Sequence, residues 1–120
     1  MIVEKRDWGL KVIIPSSEHN SEFVYNLRQV RVLNNDCKYE QELIAEIEKK
    51  EKPLTEEFLK LAEEMEGWFC RLKTAADWDN YTAKYGDFNA NYHDKLREIE
   101  EQIQDCSFEY ARRSRHGWCL

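Results

Sequence analysis

The chain has 120 residues, with 24 acidic and 18 basic side chains, a net charge of −6 at pH 7 and 42% hydrophobic residues. This acidic balance repels phosphates and argues against direct binding of duplex nucleic acid. The apolar content excludes wholesale disorder, and the length predicts a single domain over residues 1–120.

The sequence shows no pattern typical of a membrane protein. No run of about 18 apolar residues occurs, and charges interrupt the N-terminal stretch MIVEKRDWGL, where a signal peptide needs an apolar centre. We therefore expect a cytoplasmic protein that has no membrane partner.

The cysteines and histidines do not form a metal-site pattern. The four cysteines, at positions 37, 70, 106 and 119, include no C-x-x-C pair, and His19, His93 and His116 are scattered. We expect reduced thiols, with Cys70 and Cys106 packed in the core, and no metal or other cofactor.

The N-terminal part of the chain predicts a small antiparallel sheet. Hydrophobic residues alternate with others over 8–14, which is typical of a half-buried strand. An earlier strand is expected around residues 2–3, before a turn. The stretch FVYNLRQVRVL fits helical and strand spacing, but its β-branched residues and the following NND favour a strand over 27–33. We expect a hairpin or three-stranded sheet within about residues 2–33.

The rest of the chain predicts three to four helices, so the expected fold class is α+β. A first helix should begin after an N-cap at Asp36 and end near Lys50, where KKEKP interrupts the pattern. Thr55 resembles the N-cap of a second helix, with two glutamates in its first turn. Gly67 predicts either the end of that helix or the close approach of another backbone.

The last third of the chain predicts a short helix and a long one. Thr74 with Asp77 resembles the N-cap of a helix over 75–84, and Asp87 can cap a helix over about 88–115. The apolar residues of the long helix recur at steps of four and three, a heptad pattern typical of helix association. Its length of about 42 Å exceeds the width of a compact domain of this size, so we expect a homodimer or higher oligomer. The seam residues are Tyr92, Leu96, Ile99, Ile103, Cys106 and Tyr110.

The C-terminal sequence FEYARRSRHGWCL concentrates positive charge in an acidic chain. Cations in the last turn of a helix oppose the negative end of its dipole, and Gly117 is a typical helix stop. A helix terminus is therefore one interpretation. Arginine side chains also suit phosphates and carboxylates, so an anion site is the alternative. The candidate ligand-binding residues are Arg112, Arg113, Arg115 and His116.

The segment ADWDNYTAKYGDFNANYHD places five aromatic side chains among asparagines. Their helical spacing favours core packing, whereas tyrosine and tryptophan are also frequent in recognition surfaces. In the second interpretation, Trp78 and Tyr81 are ligand contacts that would stack on a base.

The sequence contains no nucleotide-binding, metalloprotease or serine-hydrolase motif and no identifiable nucleophile with its base, so we expect no enzymatic activity. The favoured function is a small acidic inhibitor, immunity or adaptor protein that blocks the functional surface of another protein. Its partner should present a basic surface to an acidic patch drawn mainly from residues 40–66.

Two other functions are considered. One is an oligomer that sequesters a nucleotide or another phosphorylated small ligand through the C-terminal arginines. The other is a structural oligomer built on the last helix. In size, acidity, aromatic content and lack of catalytic motifs, the chain resembles phage-encoded inhibitors and antitoxin-type immunity proteins as a type, and such proteins share no single fold.

Overall fold

The computed structural model describes residues 1–16, 22–29 and 38–113. In these ranges an antiparallel sheet of three strands is followed by four helices, the last of them long. The predicted α+β fold is confirmed. The predicted cap at Asp36 and the end of the predicted third strand, residues 30–33, lie outside the described residues.

The sheet has the strand order β1-β2-β3, with β1 at Ile2–Arg6, β2 at Gly9–Pro15 and β3 at Glu22–Arg28. The alternation in β2 places Val12 and Ile14 on the inner face, where both are fully buried. The first two strands are therefore confirmed, including the short one around residues 2–3.

Position 9 requires glycine. Gly9 follows the turn between β1 and β2 with a φ of +146°, and a Cβ atom there would lie 2.0 Å from the carbonyl oxygen of Leu27. Because only glycine lacks that atom, it alone lets β3 approach β2 at this point.

The third strand begins earlier than the sequence predicted. The prediction placed it over 27–33, but β3 already pairs with β2 at Glu22. Tyr25 and Leu27 have no exposed area and follow strand spacing on the inner face. The helical spacing of the same apolar residues is therefore coincidental.

Helix α1, Lys38–Arg71, is one continuous helix of 34 residues, so the predicted end at KKEKP and new start at Thr55 are wrong. A proline in a helix interior costs about 3 kcal/mol, because it removes a backbone hydrogen bond and clashes with the preceding turn. The apolar stripe nevertheless continues through Pro53, since Ile47 before it and Phe58 after it are fully buried. Burial on both sides outweighs the local cost.

Two residues within α1 have different roles from those predicted. The Thr55 hydroxyl accepts a hydrogen bond from the Gln29 side-chain amide at 2.9 Å, which ties α1 to the end of β3. Gly67 lies within the helix, and among the described residues a Cβ atom there would meet only the Arg71 guanidinium, at 3.6 Å. It is neither a helix end nor a close backbone contact.

The predicted caps in the last third of the chain are confirmed. Thr74 and Asp77 form a reciprocal capping box, and the Asp87 carboxylate accepts a hydrogen bond from the backbone N–H of Ala90. The helices that follow are α2 at Ala75–Tyr85, α3 at Phe88–Asn91 and α4 at His93–Arg113.

The predicted long helix over 88–115 is interrupted at Tyr92, which separates α3 from α4. Tyr92 has φ −125° and ψ −63°, outside the α-helical region. Its hydroxyl accepts a hydrogen bond from Nε1 of Trp68 at 2.6 Å. This contact with α1 holds Tyr92 at the junction, so α4 alone carries the long helical stretch.

The hydrophobic core has two parts. The larger lies between the inner face of the sheet and the helices, and the smaller lies where Leu43, Ile44 and Ile47 pack on Cys106 and Tyr110. The molecule measures 62 × 23 × 16 Å with a radius of gyration of 18.0 Å, against about 13–14 Å for a compact chain of this length. The elongation follows from α1, which is about 51 Å long.

The two described cysteines differ in burial. Cys106 packs against the smaller core as predicted, whereas Cys70 is exposed and the prediction that it fills the core is wrong. Cys37 and Cys119 lie outside the described residues. None of the described helices is long and apolar enough to cross a membrane.

Candidate functional site: an acidic groove between α1 and α4

Helices α1 and α4 pack side by side in antiparallel directions and enclose a groove of about 410 Å³. Two apolar side chains line it, Leu61 from α1 and Ile99 from α4, of which Ile99 is 6% exposed and Leu61 partly buried. The remaining lining residues are polar or charged: Glu57, Lys60, Glu64, Lys95, Glu98 and Gln102.

The groove lies within a band of negative charge. Five further exposed carboxylates are one helical turn or less from a lining residue along the same helices: Glu56, Glu63, Asp94, Glu101 and Asp105. The less exposed Glu66 and Glu100 of the same stretches are paired with the N-terminal ammonium and with Arg97. With the lining residues the five exposed side chains make eight carboxylates and two lysines, a net charge of −6 that equals the net charge of the whole chain. We call these ten side chains and the two apolar residues the acidic groove.

Ion pairs neutralise several carboxylates elsewhere in the molecule. Lys50 contacts Glu109 at 2.9 Å, Arg97 contacts Glu100 at 2.9 Å, and the N-terminal ammonium contacts Glu66. In the described part of the chain, none of the ten charged side chains of the acidic groove forms such a pair. Their field therefore extends into solvent, where it attracts cations.

The sequence predicted only half of this site. The acidic patch was expected mainly from residues 40–66, and Glu56, Glu57, Glu63 and Glu64 lie in that range. The contribution of α4 was missed because its position beside α1 depends on tertiary packing. The heptad pattern of the last helix, which predicted a helical neighbour, was the only signal for it.

The predicted oligomer seam is largely buried inside the chain. Leu96 and Ile103 have no exposed area and belong with Ile99 to the main core, while Cys106 and Tyr110 pack on the start of α1 and Tyr92 packs against the main core. The neighbour indicated by the heptad pattern is α1 of the same chain. The apolar stripe therefore gives no reason to expect a second copy on this face.

Arg113 takes part in an intramolecular contact. Its guanidinium donates to both carboxylate oxygens of Glu46, at 3.2 and 2.9 Å, which joins the end of α4 to the first half of α1. This hydrogen bonding and charge hold the pKa of the Glu46 carboxyl below its usual value. Arg112 is exposed in the last turn of α4, whereas Arg115 and His116 lie outside the described residues.

The aromatic side chains of residues 78–92 meet in one cluster, completed by Trp68 and Phe69 of α1. Trp78 contributes to a depression of about 250 Å³ that Phe69 also lines. Tyr81, which is 4% exposed, lines a separate shallow depression of about 310 Å³ beside Trp68. In the described part of the chain, the two predicted ligand contacts therefore line different depressions.

Of the C-terminal arginines that the structure describes, Arg113 lies far from the aromatic cluster of the same chain. Arg113 contacts α1 at Glu46, whereas Trp78 packs on Phe69, about 35 Å further along the same helix. A single nucleotide cannot bridge that distance, so Arg113 and Trp78 of one chain cannot contact the same nucleotide.

A partly buried polar pair links the sheet to α4. The Tyr25 hydroxyl lies 2.7 Å from Nδ1 of His93, and the His93 ring packs against Phe23 and Tyr25. Burial raises the pKa of Tyr25 well above its usual value. His93 therefore packs at the sheet–helix interface and has a structural role there.

Among the described residues, no group of three or more His, Cys, Asp or Glu side chains is arranged to hold a metal ion. Comparison with protein-family models, curated proteins and solved structures found no match to the chain.

Proposed function

We propose that the chain is a non-enzymatic binding protein whose acidic groove holds a basic surface of another protein. The observation that carries this proposal is the concentration of eight exposed carboxylates and only two lysines around a groove lined by Leu61 and Ile99. The carboxylates attract lysine and arginine side chains, and the apolar lining offers area for an aliphatic side chain between them.

The charge arrangement suits rapid and selective association. A surface of one sign steers an oppositely charged partner and raises the association rate, and salt weakens this effect by screening. The groove should therefore select its partner chiefly by charge, with the apolar contacts contributing to residence time.

The class of function that fits best is an inhibitor, immunity or adaptor protein of the phage or antitoxin type, acting in the cytosol. Such a protein works by covering a partner's surface, so it needs charge and shape complementarity but no catalytic group. The partner's basic surface would be its functional site or lie beside it.

The alternative, sequestration of a phosphorylated small ligand by the C-terminal arginines, has less support. The Arg113 guanidinium already donates two hydrogen bonds to Glu46. An incoming phosphate would have to replace this bidentate contact, and the carboxylates of the acidic groove on the same helix would repel it.

The proposal can be tested with a synthetic helical peptide of lysine, leucine and alanine, labelled for fluorescence anisotropy. We expect the triple variant E57K/E64K/E98K to weaken peptide binding by about tenfold or more, since three attractive contacts become repulsive. The matched control is E22K/E48K/D79K, which changes the net charge equally at exposed positions outside the groove.

Two results would reject the proposed site. One is equal loss of affinity in both triple variants, which would show that net charge alone governs binding. The other is binding of a peptide with glutamate in place of lysine as tightly as the basic peptide.

A further inference from the structure

The two edges of the sheet differ in whether their outward backbone groups are hydrogen-bonded. At the β3 edge, the backbone N–H of Asn26 donates to the Glu100 carboxylate at 2.7 Å, and the Ser107 hydroxyl donates to the carbonyl of Arg28 at 2.8 Å. Helix α4 thus occupies two of the outward backbone groups of that edge. Strand β1 forms the other edge, and no described strand or helix pairs with its outer side.

The register of the sheet identifies which backbone groups of β1 face outward. Because the N–H of Asn26 points away from β2, the facing pair Asn26 and Lys11 is a non-hydrogen-bonded pair. The backbone N–H and carbonyl groups of Lys11 therefore point toward β1, where Lys11 faces Glu4. The backbone of Glu4 is therefore hydrogen-bonded to Lys11 within the sheet. The neighbouring residues Val3 and Lys5 present their backbone N–H and carbonyl groups to solvent.

The side chains beside this open edge are apolar at one end and charge-balanced at the other. Ile2 and Val3 are 53% and 42% exposed, and Ile2 lies next to Ile13 and Val24 in a row across the outer face of the sheet. The following residues Glu4 to Asp7 carry two positive and two negative charges. This surface is therefore neutral in a chain whose helices are acidic.

We propose that β1 pairs with β1 of a second copy of this chain, so that two sheets join into one antiparallel sheet of six strands. An exposed strand edge is a template for another strand, and β1 contains neither proline nor a bulge that would prevent pairing. A second copy fits because a neutral edge does not repel itself, whereas contact between two acidic grooves would.

The charges of β1 balance in the fully overlapped register. There Val3 and Lys5 of one copy face Lys5 and Val3 of the other, and exchange four backbone hydrogen bonds. In this register Glu4 faces Glu4 of the second copy, and each of these glutamates lies between two arginines, Arg6 of its own strand and the second copy's arginine diagonally across, which offset the repulsion between the two carboxylates. The aliphatic stem of Lys5 lies beside the opposite Val3 while its ammonium stays in water.

The experiment is sedimentation velocity on the full chain from micromolar to millimolar concentration. We expect a monomer–dimer equilibrium. Lys5→Pro should raise the dimer dissociation constant about tenfold or more, because proline removes an outward N–H from each copy. Lys5→Ala retains that N–H and removes only the contact of the Lys5 stem, so it should weaken the dimer much less than Lys5→Pro, which separates the backbone contribution from the side chain.

Charge variants of β1 test the same dimer without introducing a proline. Glu4→Lys should weaken the dimer by placing only cations at the junction, and the swap E4K/R6E should restore it. Circular dichroism and thermal unfolding establish that each variant is folded.

Three outcomes overturn the proposal. They are a parent chain that stays monomeric at all concentrations, a dimer unaffected by Lys5→Pro, and a monomer whose β1 edge binds an extended peptide of different sequence. The last would show that the edge serves another protein and not a second copy.

Discussion

The guanidinium of Arg113 donates to both oxygens of the Glu46 carboxylate, although the two residues lie 67 positions apart in the sequence. Beside this pair, Lys50 contacts Glu109 at 2.9 Å. Together they join the first half of α1 to the last turns of α4, where the smaller part of the core contains only a few apolar side chains. The ion pairs therefore matter most at this end of the molecule.

Acidification should loosen this end of the molecule. The hydrogen bond and charge of Arg113 hold the pKa of Glu46 below its usual value. A carboxyl whose pKa is lowered on folding stabilises the folded state above its unfolded pKa of about 4, and this stabilisation is lost as the pH falls through the folded pKa. Hydrogen exchange of residues 43–47 should therefore accelerate relative to its intrinsic rate below about pH 4, which is measured as a fall in the protection factor.

The substitution Glu46→Gln should reproduce that acceleration at neutral pH, because it removes the charge that Arg113 contacts. Glu48→Gln is the matched control, since Glu48 is an exposed glutamate two positions away on the same helix. Unchanged exchange in Glu46→Gln would show that the ion pair does not stabilise the α1–α4 contact.

Replacing Pro53 with alanine should stabilise the chain. A helix-interior proline costs about 3 kcal/mol, and α1 continues on both sides of it, so Pro53→Ala should raise the free energy of unfolding by about 1–3 kcal/mol. Urea denaturation followed by circular dichroism measures the change. A loss of stability would indicate that residue 53 lies at a helix boundary, as the sequence alone suggested.

Substitutions in the buried apolar residues of α4 should lower the stability of the chain and leave its association unchanged. Ile103 has no exposed area, so Ile103→Ala should lower the free energy of unfolding by about 2–5 kcal/mol while the folded protein keeps the oligomeric state of the parent chain. Phe108→Ala on the same helix is the control, because Phe108 is 53% exposed. A fully stable Ile103→Ala variant with an altered oligomeric state would instead support the predicted oligomer seam.

Removing the cap of α2 should have a moderate effect. The Thr74 hydroxyl accepts a hydrogen bond from the backbone N–H of Asp77 at 3.1 Å, so Thr74→Ala should cost about 1 kcal/mol. Thr82 lies in the same helix, where its hydroxyl bonds only to the carbonyl of Trp78, and Thr82→Ala should change stability by less than about 0.5 kcal/mol. Equal effects in urea denaturation would contradict the capping role.

The features that the sequence predicted well are those determined locally. The capping box at Thr74 and Asp77 and the cap at Asp87 involve residues three or four positions apart, so their side chains and spacing suffice. The alternation of hydrophobic and other residues in β2 likewise indicates that one face of the strand is buried. Such patterns can be recognised without knowing which other parts of the chain lie nearby.

The features that the sequence missed depend on distant contacts. Pro53 and Thr55 gave a strong local signal for a helix boundary, but the core contacts of Ile47 and Phe58 keep α1 continuous. The stripe containing Ile99 was recognised correctly, yet a heptad pattern does not specify whether the neighbouring helix belongs to the same chain. The acidic groove could not be predicted as a unit, because it exists only when α1 and α4 lie together.

The central claim is that the acidic groove binds a basic partner, and the most direct measurement is residue-resolved NMR during titration with the lysine, leucine and alanine peptide. We predict that the largest backbone shift changes occur within residues 57–64 and 95–102, and that they diminish as salt is added. Shift changes confined to the aromatic cluster, to β1 or to the C-terminal arginines would contradict the claim, as would the absence of any change at low salt.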